Sequence, residues 1–92
     1  MWIVSQDEKS IVNMDQICSI DQQGSVITAL LDGHTYKTLG YYLSNEKAAS
    51  VIEQIITTKR EILHRGSQEY KTEYLGSDDV VFRMPQDEDV VV

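Results

Sequence analysis

The stretch SVITALLDGHTYKTLG, residues 25–40, sets an Asp-Gly pair between two β-prone runs. A two-residue hairpin turn of type I′ needs positive φ at both central residues, and Asp-Gly supplies it. Asp32-Gly33 therefore predicts a tight antiparallel hairpin. On one face it would set Leu31 opposite His34, Ala29 opposite Tyr36 and Ile27 opposite Thr38. On the other it would set Leu30 opposite Thr35, Thr28 opposite Lys37 and Val26 opposite Leu39. Both faces then carry large apolar groups, whereas a sheet open to water on one side alternates apolar with polar residues. The pattern predicts a strongly curled sheet, or a second face covered by a partner or by the C-terminal segment. Gly40, inside the returning strand, suits a bend or a bulge.

N-terminal to this hairpin the chain reads as short strands over residues 2–5, 10–13 and 16–21, separated by the polar turn 6–9, a bend at 13–15 and a turn at Gln22-Gln23-Gly24. C-terminal to it, Ser44 or Asn45 is placed to cap a helix, with Glu46 in the first turn. Ala48, Val51, Ile52, Ile55, Ile56, Ile62 and Leu63 then recur at helical spacing and define one buried face. Lys59 interrupts that stripe, where its alkyl stem can lie along the core. Lys59, Arg60, His64 and Arg65 crowd the last turns, and Gly66 is placed for a left-handed C-cap. Ordering some twenty helical residues costs on the order of 20–40 kcal/mol of backbone entropy. Burying about seven aliphatic side chains returns only roughly 10–20 kcal/mol, so the helix must dock on the sheet.

The expected fold is α+β: an antiparallel β-meander of four to five strands with one long amphipathic helix packed on it. Residues 1–66 form that core domain. Residues 67–92 read as an acidic, partly flexible C-terminal arm, polar over 67–79, with a short edge strand at 80–84 ended by Pro85 and a frayed tail beyond.

Ninety-two residues make one domain, and a chain of this size has room for one modest core. Its 41% hydrophobic and 25% charged residues are those of an ordinary globular protein rather than a disordered one. The net charge of −7 is concentrated at the C-terminal end, where residues 67–92 carry seven acidic and two basic side chains. That excludes a basic nucleic-acid groove and a polybasic membrane patch, both of which need clustered Lys and Arg. A single cysteine, no basic and apolar leader and no span of ~20 apolar residues together predict a cytoplasmic protein.

Catalytic chemistry finds little support. Cys18, His34 and His64 are the only residues that suggest nucleophilic catalysis. Cys18 reads more simply as a small buried thiol in an apolar strand, His34 as an exposed loop residue and His64 as a helix C-terminal cation. Asp78-Asp79 and Asp87-Glu88-Asp89 lack the alternating spacing and glycine of a calcium loop, and one cysteine makes no structural zinc site. The glycines form no phosphate-binding loop. No enzyme, cofactor or metal is expected. Tyr41 and Tyr42 are the most suggestive pair, because adjacent strand residues point to opposite faces: one can enter the core while the other meets a partner. Packing is the commoner explanation of such aromatics, but recognition sites are enriched in them.

The opening Met1-Trp2-Ile3-Val4-Ser5-Gln6-Asp7, the Leu39-Gly40-Tyr41-Tyr42 before a capped helix and the late Phe82-Arg83-Met84-Pro85 together resemble a group of short, mostly uncharacterised proteins of Gram-positive bacteria, their phages and mobile elements. The likeness spans nearly the whole chain, residues 67–79 excepted, and its motifs are short. It implies a family and a mobile-element origin, not an activity. The expected function is a non-enzymatic protein-interaction or regulatory module. Its partner is a protein or a second copy, with Tyr41, Tyr42, Asp78 and Asp79 as contact residues. One alternative is an acidic inhibitor or decoy of a host nucleic-acid-binding or defence protein, motivated by the charge of residues 67–92. Another is a small-molecule-binding or hydrolytic domain using Cys18 or the histidines.

Overall fold

The computed structural model describes residues 1–68, with side chains as far as residue 61, and residues 80–92. The fold is α+β, with an antiparallel meander and a helix packed on it, as the sequence predicts. The six strands among the described residues are divided between two sheets. Strands β3 (Ser19–Gln23), β4 (Val26–Leu30) and β5 (Tyr36–Tyr41) form the meander in chain order. Strands β1 (Trp2–Val4), β2 (Ile11–Asn13) and β6 (Val81–Arg83) form the second sheet in the order β2-β1-β6. β2 runs antiparallel to β1, and β6 runs parallel to it with Ile3 opposite Phe82. A parallel neighbour cannot be reached through a tight turn. The meander and the helix α1 (Asn45–Gln68) lie in the long connection between β2 and β6.

Both hairpin turns follow from local chemistry, but differently. Gly24 takes φ +66°, and Ser25, which completes the two-residue loop, does not take positive φ. This is the Gly-X preference of a type II′ turn. The expected type I′ turn at Asp32-Gly33 does not form. Gly33 has φ +95°, but Asp32 does not enter the left-handed region. Its Oδ1 accepts the N–H of His34 at 3.0 Å and of Thr35 at 2.8 Å, an Asx-type turn that draws His34 into a three-residue loop. Leu31 N–H then donates to the carbonyl of Thr35 at 2.8 Å. The observed register sets Leu30 opposite Tyr36, Ala29 opposite Lys37 and Thr28 opposite Thr38, one residue away from the expected pairing. A slip of one residue exchanges the faces of a strand.

The register shifts once more between Thr28 and Ile27, where Ile27 faces Gly40 and Leu39 is the extra residue of a β-bulge. The bulge expected near Gly40 is therefore present, and it turns Leu39 and Gly40 both inward. On β4, Ile27 and Ala29 are fully buried, while Val26, Thr28 and Leu30 are half-buried on the opposite face. Tyr36 and Tyr41 share that opposite face by register.

The helix begins at the expected cap. Lys47 N–H donates to Ser44 Oγ at 3.1 Å and Ala48 N–H to the Ser44 carbonyl at 3.2 Å. Ala48, Val51 and Ile55 are buried and Ile52 is half-buried. Ile56, expected on the same stripe, is 41% exposed and lies at its margin. The side chains of Ile62, Leu63 and His64 lie outside the described residues. Helical backbone continues through Gly66 to Gln68, so the expected cap falls inside the helix. Lys59 Nζ reaches Asp15 Oδ1 at 2.9 Å, tying the helix to the short 3₁₀ turn Met14–Gln16.

One core joins both sheets and the helix: Met1, just before β1, and Ile3 within it, Ile27, Ala29 and Leu39 from the meander, Val51 and Ile55 from α1, and Met84 and Val90 from the C-terminal end. The C-terminal end was expected to fray. Residues 80–90 are instead docked through their backbone hydrogen bonds and the buried Met84 and Val90, and Val91 and Val92 stand exposed beyond them.

Candidate protein-interaction edge

Hydrogen-bonded and non-bonded pairs alternate along antiparallel strands. The Leu31–Thr35 bond makes Ala29–Lys37 the next bonded pair and turns the backbone groups of Tyr36 and Thr38 away from β4. They point out from the sheet along the free side of β5. Among the described residues, none hydrogen-bonds to them.

The second half of the same edge is closed by a single residue. Gln6 N–H donates to the Leu39 carbonyl at 2.7 Å, and Gln6 Oε1 accepts the N–H of Tyr41 at 2.8 Å. Gln6 is held by a tight turn in which Ser5 Oγ donates to Asp7 Oδ1 at 2.6 Å and Asp7 Oδ1 accepts Lys9 N–H at 3.0 Å. Glu8 completes that turn at φ +62°, a left-handed conformation that costs a residue with a Cβ roughly 1–2 kcal/mol. A cleft of about 410 Å³ runs along the edge, floored by residues 36–41 and walled by Gln6 and Asp7.

Tyr41 and Tyr42 divide as adjacent strand residues should. Tyr41 is 65% exposed and Tyr36, at the other end of β5, 58% exposed, whereas Tyr42 is 5% exposed. The Tyr42 hydroxyl donates to the Pro85 carbonyl at 2.8 Å, and burial together with the Asp87 charge pushes it up to about 12. Tyr42 is thus a core residue, and Tyr41 and Tyr36 are the aromatics that face outward. Sequence reasoning missed Tyr36 because the slipped register moved it from the Ala29 face to the Leu30 face. Asp78 and Asp79 lie outside the described residues.

Of the residues weighed for catalysis, the structure describes the side chains of Cys18 and His34, and that of His64 lies outside the described residues. Cys18, expected to be buried, is exposed. The N–H of Cys18 donates to the Leu30 carbonyl at 2.8 Å just before β3 begins. Its thiol borders an apolar cleft of about 300 Å³ between that strand and α1, with Ile17, Ile20, Ile52 and Ile55. His34 sits in the β4–β5 loop, exposed as expected. Among the described residues, no group of three or more His, Cys, Asp or Glu side chains is placed to hold a metal ion. No described helix is long and apolar enough to cross a membrane.

Three carboxylates are held below their ordinary range. The Ser5 hydroxyl and Lys9 N–H lower Asp7, the N–H groups of His34 and Thr35 lower Asp32, and the Lys47 ammonium and Leu43 N–H lower Asp87. A carboxylate whose folded pKa is depressed stabilises the fold above its unfolded value of 3.8 and loses that contribution as pH falls through the folded value. Asp87→Asn is therefore expected to lower the melting temperature at pH 7. The gap to the unmodified protein should shrink toward zero as pH falls from 4 through the folded value of Asp87. Thermal denaturation between pH 7 and pH 2 measures it, and a gap that stays constant with pH would contradict the charge pairing.

No family model matches the chain, and neither a curated protein nor a solved structure matches it.

Proposed function

We propose that this chain is a non-enzymatic protein-interaction module, of the phage or mobile-element origin its resemblance implies, that takes up an extended segment of a partner protein along β5. The observation that carries this reading is the outward backbone of Tyr36 and Thr38, bonded by no described residue between the loop at Gly33 and the Gln6 closure, with Tyr36 and Tyr41 exposed. Strand addition satisfies such an edge through main-chain hydrogen bonds and takes its specificity from flanking side chains.

Magnitudes show which part dominates. Four added hydrogen bonds give about 2–6 kcal/mol at ~0.5–1.5 kcal/mol each. Association costs an estimated 4–15 kcal/mol. The ladder alone does not hold a partner, and the partner must also cover the two tyrosines, each able to contribute about 2–4 kcal/mol on burial of ~100–150 Å². Lys37 lies between Tyr36 and Thr38 and favours a partner strand that presents a carboxylate opposite it.

The test removes one donor. Thr38→Pro deletes an outward N–H that no described residue uses, and edge strands tolerate proline there. The unmodified chain is expected to retain a protein from a lysate of its natural host, Thr38→Pro to lose it, and Tyr36→Ala with Tyr41→Ala to weaken it at least about tenfold. Circular dichroism should show all variants folded. Equal capture by folded Thr38→Pro, or no capture at all, overturns the reading.

A further inference from the structure

Residues 80–90 touch the rest of the chain as a bound peptide would. The segment is extended apart from the single turn Asp87–Asp89. Every hydrogen bond described between it and the remaining residues ends between Trp2 and Lys47. Trp2 N–H donates to the Val80 carbonyl at 2.9 Å and Met84 N–H to the Val4 carbonyl at 3.0 Å, which bracket the parallel β1–β6 ladder. The Pro85 carbonyl then accepts Tyr42 Oη at 2.8 Å and Gln6 Nε2 at 3.4 Å. Gln86 Nε2 donates to the Gln6 carbonyl at 2.8 Å. Asp87 Oδ1 accepts Leu43 N–H at 2.7 Å, while Lys47 Nζ donates to Asp87 Oδ2 at 2.9 Å and to its carbonyl at 3.0 Å.

The anchors are spaced as a recognition motif. Met84 and Val90 are 3% and 4% exposed and enter the common core, and Asp87, midway between them, makes the charged contact. Strand addition, two apolar anchors and one carboxylate–ammonium pair are the components by which domains recognise extended peptides.

We propose that the groove formed by β1, Gln6 and residues 42–47 is a peptide-binding site, and that it accepts residues 80–90 of a second copy of this chain when its own segment withdraws. The required ligand is an extended segment with a buried methionine followed by proline, a carboxylate three residues after the methionine and an aliphatic side chain three residues further. A tethered segment competes at an effective concentration on the order of millimolar. Exchange between copies is therefore suppressed in dilute solution and revealed when the resident segment is weakened. Gln6 borders both this groove and the β5 edge, but no hydrogen bond described for residues 80–90 reaches Tyr36 or Thr38, so the variants that test the two readings are distinct.

The experiment uses the full chain carrying Met84→Ala and Asp87→Ala, with a labelled synthetic peptide of residues 80–92 as ligand. The variant is expected to bind the peptide at least about tenfold more tightly than the unmodified chain, whose own segment competes. The peptide should raise the melting temperature of the variant and a scrambled peptide should not. Adding Lys47→Glu should weaken binding about tenfold, and a peptide carrying Asp87→Lys should restore it. If the double variant is unfolded alone, excess peptide should fold it, as read by circular dichroism. No response beyond the scrambled peptide, in both the double variant and the milder Asp87→Ala chain, overturns the proposal.

Discussion

Gly40→Ala is expected to destabilise the protein by about 2–4 kcal/mol, although alanine is the better strand residue. The backbone is not the cause, since Gly24 and Gly33 are the described glycines with positive φ. The cause is the Tyr42 ring lying over the Gly40 Cα. A Cβ on residue 40 would sit 2.9 Å from Tyr42 Cε2, 3.0 Å from its Oη and 3.2 Å from its Cζ. The ring has nowhere simple to go, because it is buried and its hydroxyl holds the Pro85 carbonyl. Overpacking of this kind costs about 1–3 kcal/mol, and losing the hydroxyl's hydrogen bond adds roughly 0.5–1.5 kcal/mol. The decisive measurement is a double-mutant cycle by urea denaturation. With Tyr42→Ala already in place, Gly40→Ala should turn neutral or stabilising by up to about 1 kcal/mol, because alanine restricts the unfolded chain. A loss of the same size in both backgrounds would show that the ring is not responsible.

Ile27→Ala should cost about 3–4 kcal/mol, within the range for large aliphatic side chains removed from rigid cores. Ile27 is fully buried at the centre of β4, between Gln22 on β3 and Gly40 on β5, under the helix face of Ala48 and Val51. Three residues of that face are short: Gly40 has no side chain, and Ala29 and Ala48 offer one methyl each. None can extend into the space left behind, so most of the cavity should persist. Ile27→Val should cost only about 0.5–1.5 kcal/mol. Ile56→Ala, at a position 41% exposed, should cost under about 1 kcal/mol if packing rather than helix propensity governs. Equilibrium unfolding of the three variants orders them, and a comparable loss at positions 27 and 56 would remove the distinction between core and margin.

The candidate edge shows where reading from residues stops. That Tyr41 and Tyr42 face opposite ways is legible, since strand alternation alone forces adjacent side chains apart; that Tyr42 is the inward one is not. Tyr36 is not, because its face depends on register, and register depends on whether Asp32 enters the left-handed region or accepts two N–H groups instead. Both outcomes satisfy the same Asp-Gly pair. Cys18 misleads for a related reason: its apolar neighbours suggest a buried strand, but it lies one residue before β3 and opens onto the cleft beside α1. The closure by Gln6 is a contact across 33 and 35 residues of sequence, to Leu39 and Tyr41, that no local signal announces.

By itself, the sequence determined what short-range forces decide. It specified the α+β class, a cap at Ser44 or Asn45, the Ala48-Val51-Ile55 stripe, the turns at Gly24 and near Gly33, a bend or bulge at Gly40 and a late strand. Each depends on bonds or periodicity within a turn or two of chain. The tertiary structure alone decided the division into two sheets, the parallel docking of Val81–Arg83 beside Trp2–Val4, the one-residue register of β4 with β5 and the pairing of Asp87 with Lys47. Those depend on which distant groups meet, and several distant pairings satisfy one local pattern equally well until the core closes around a single set.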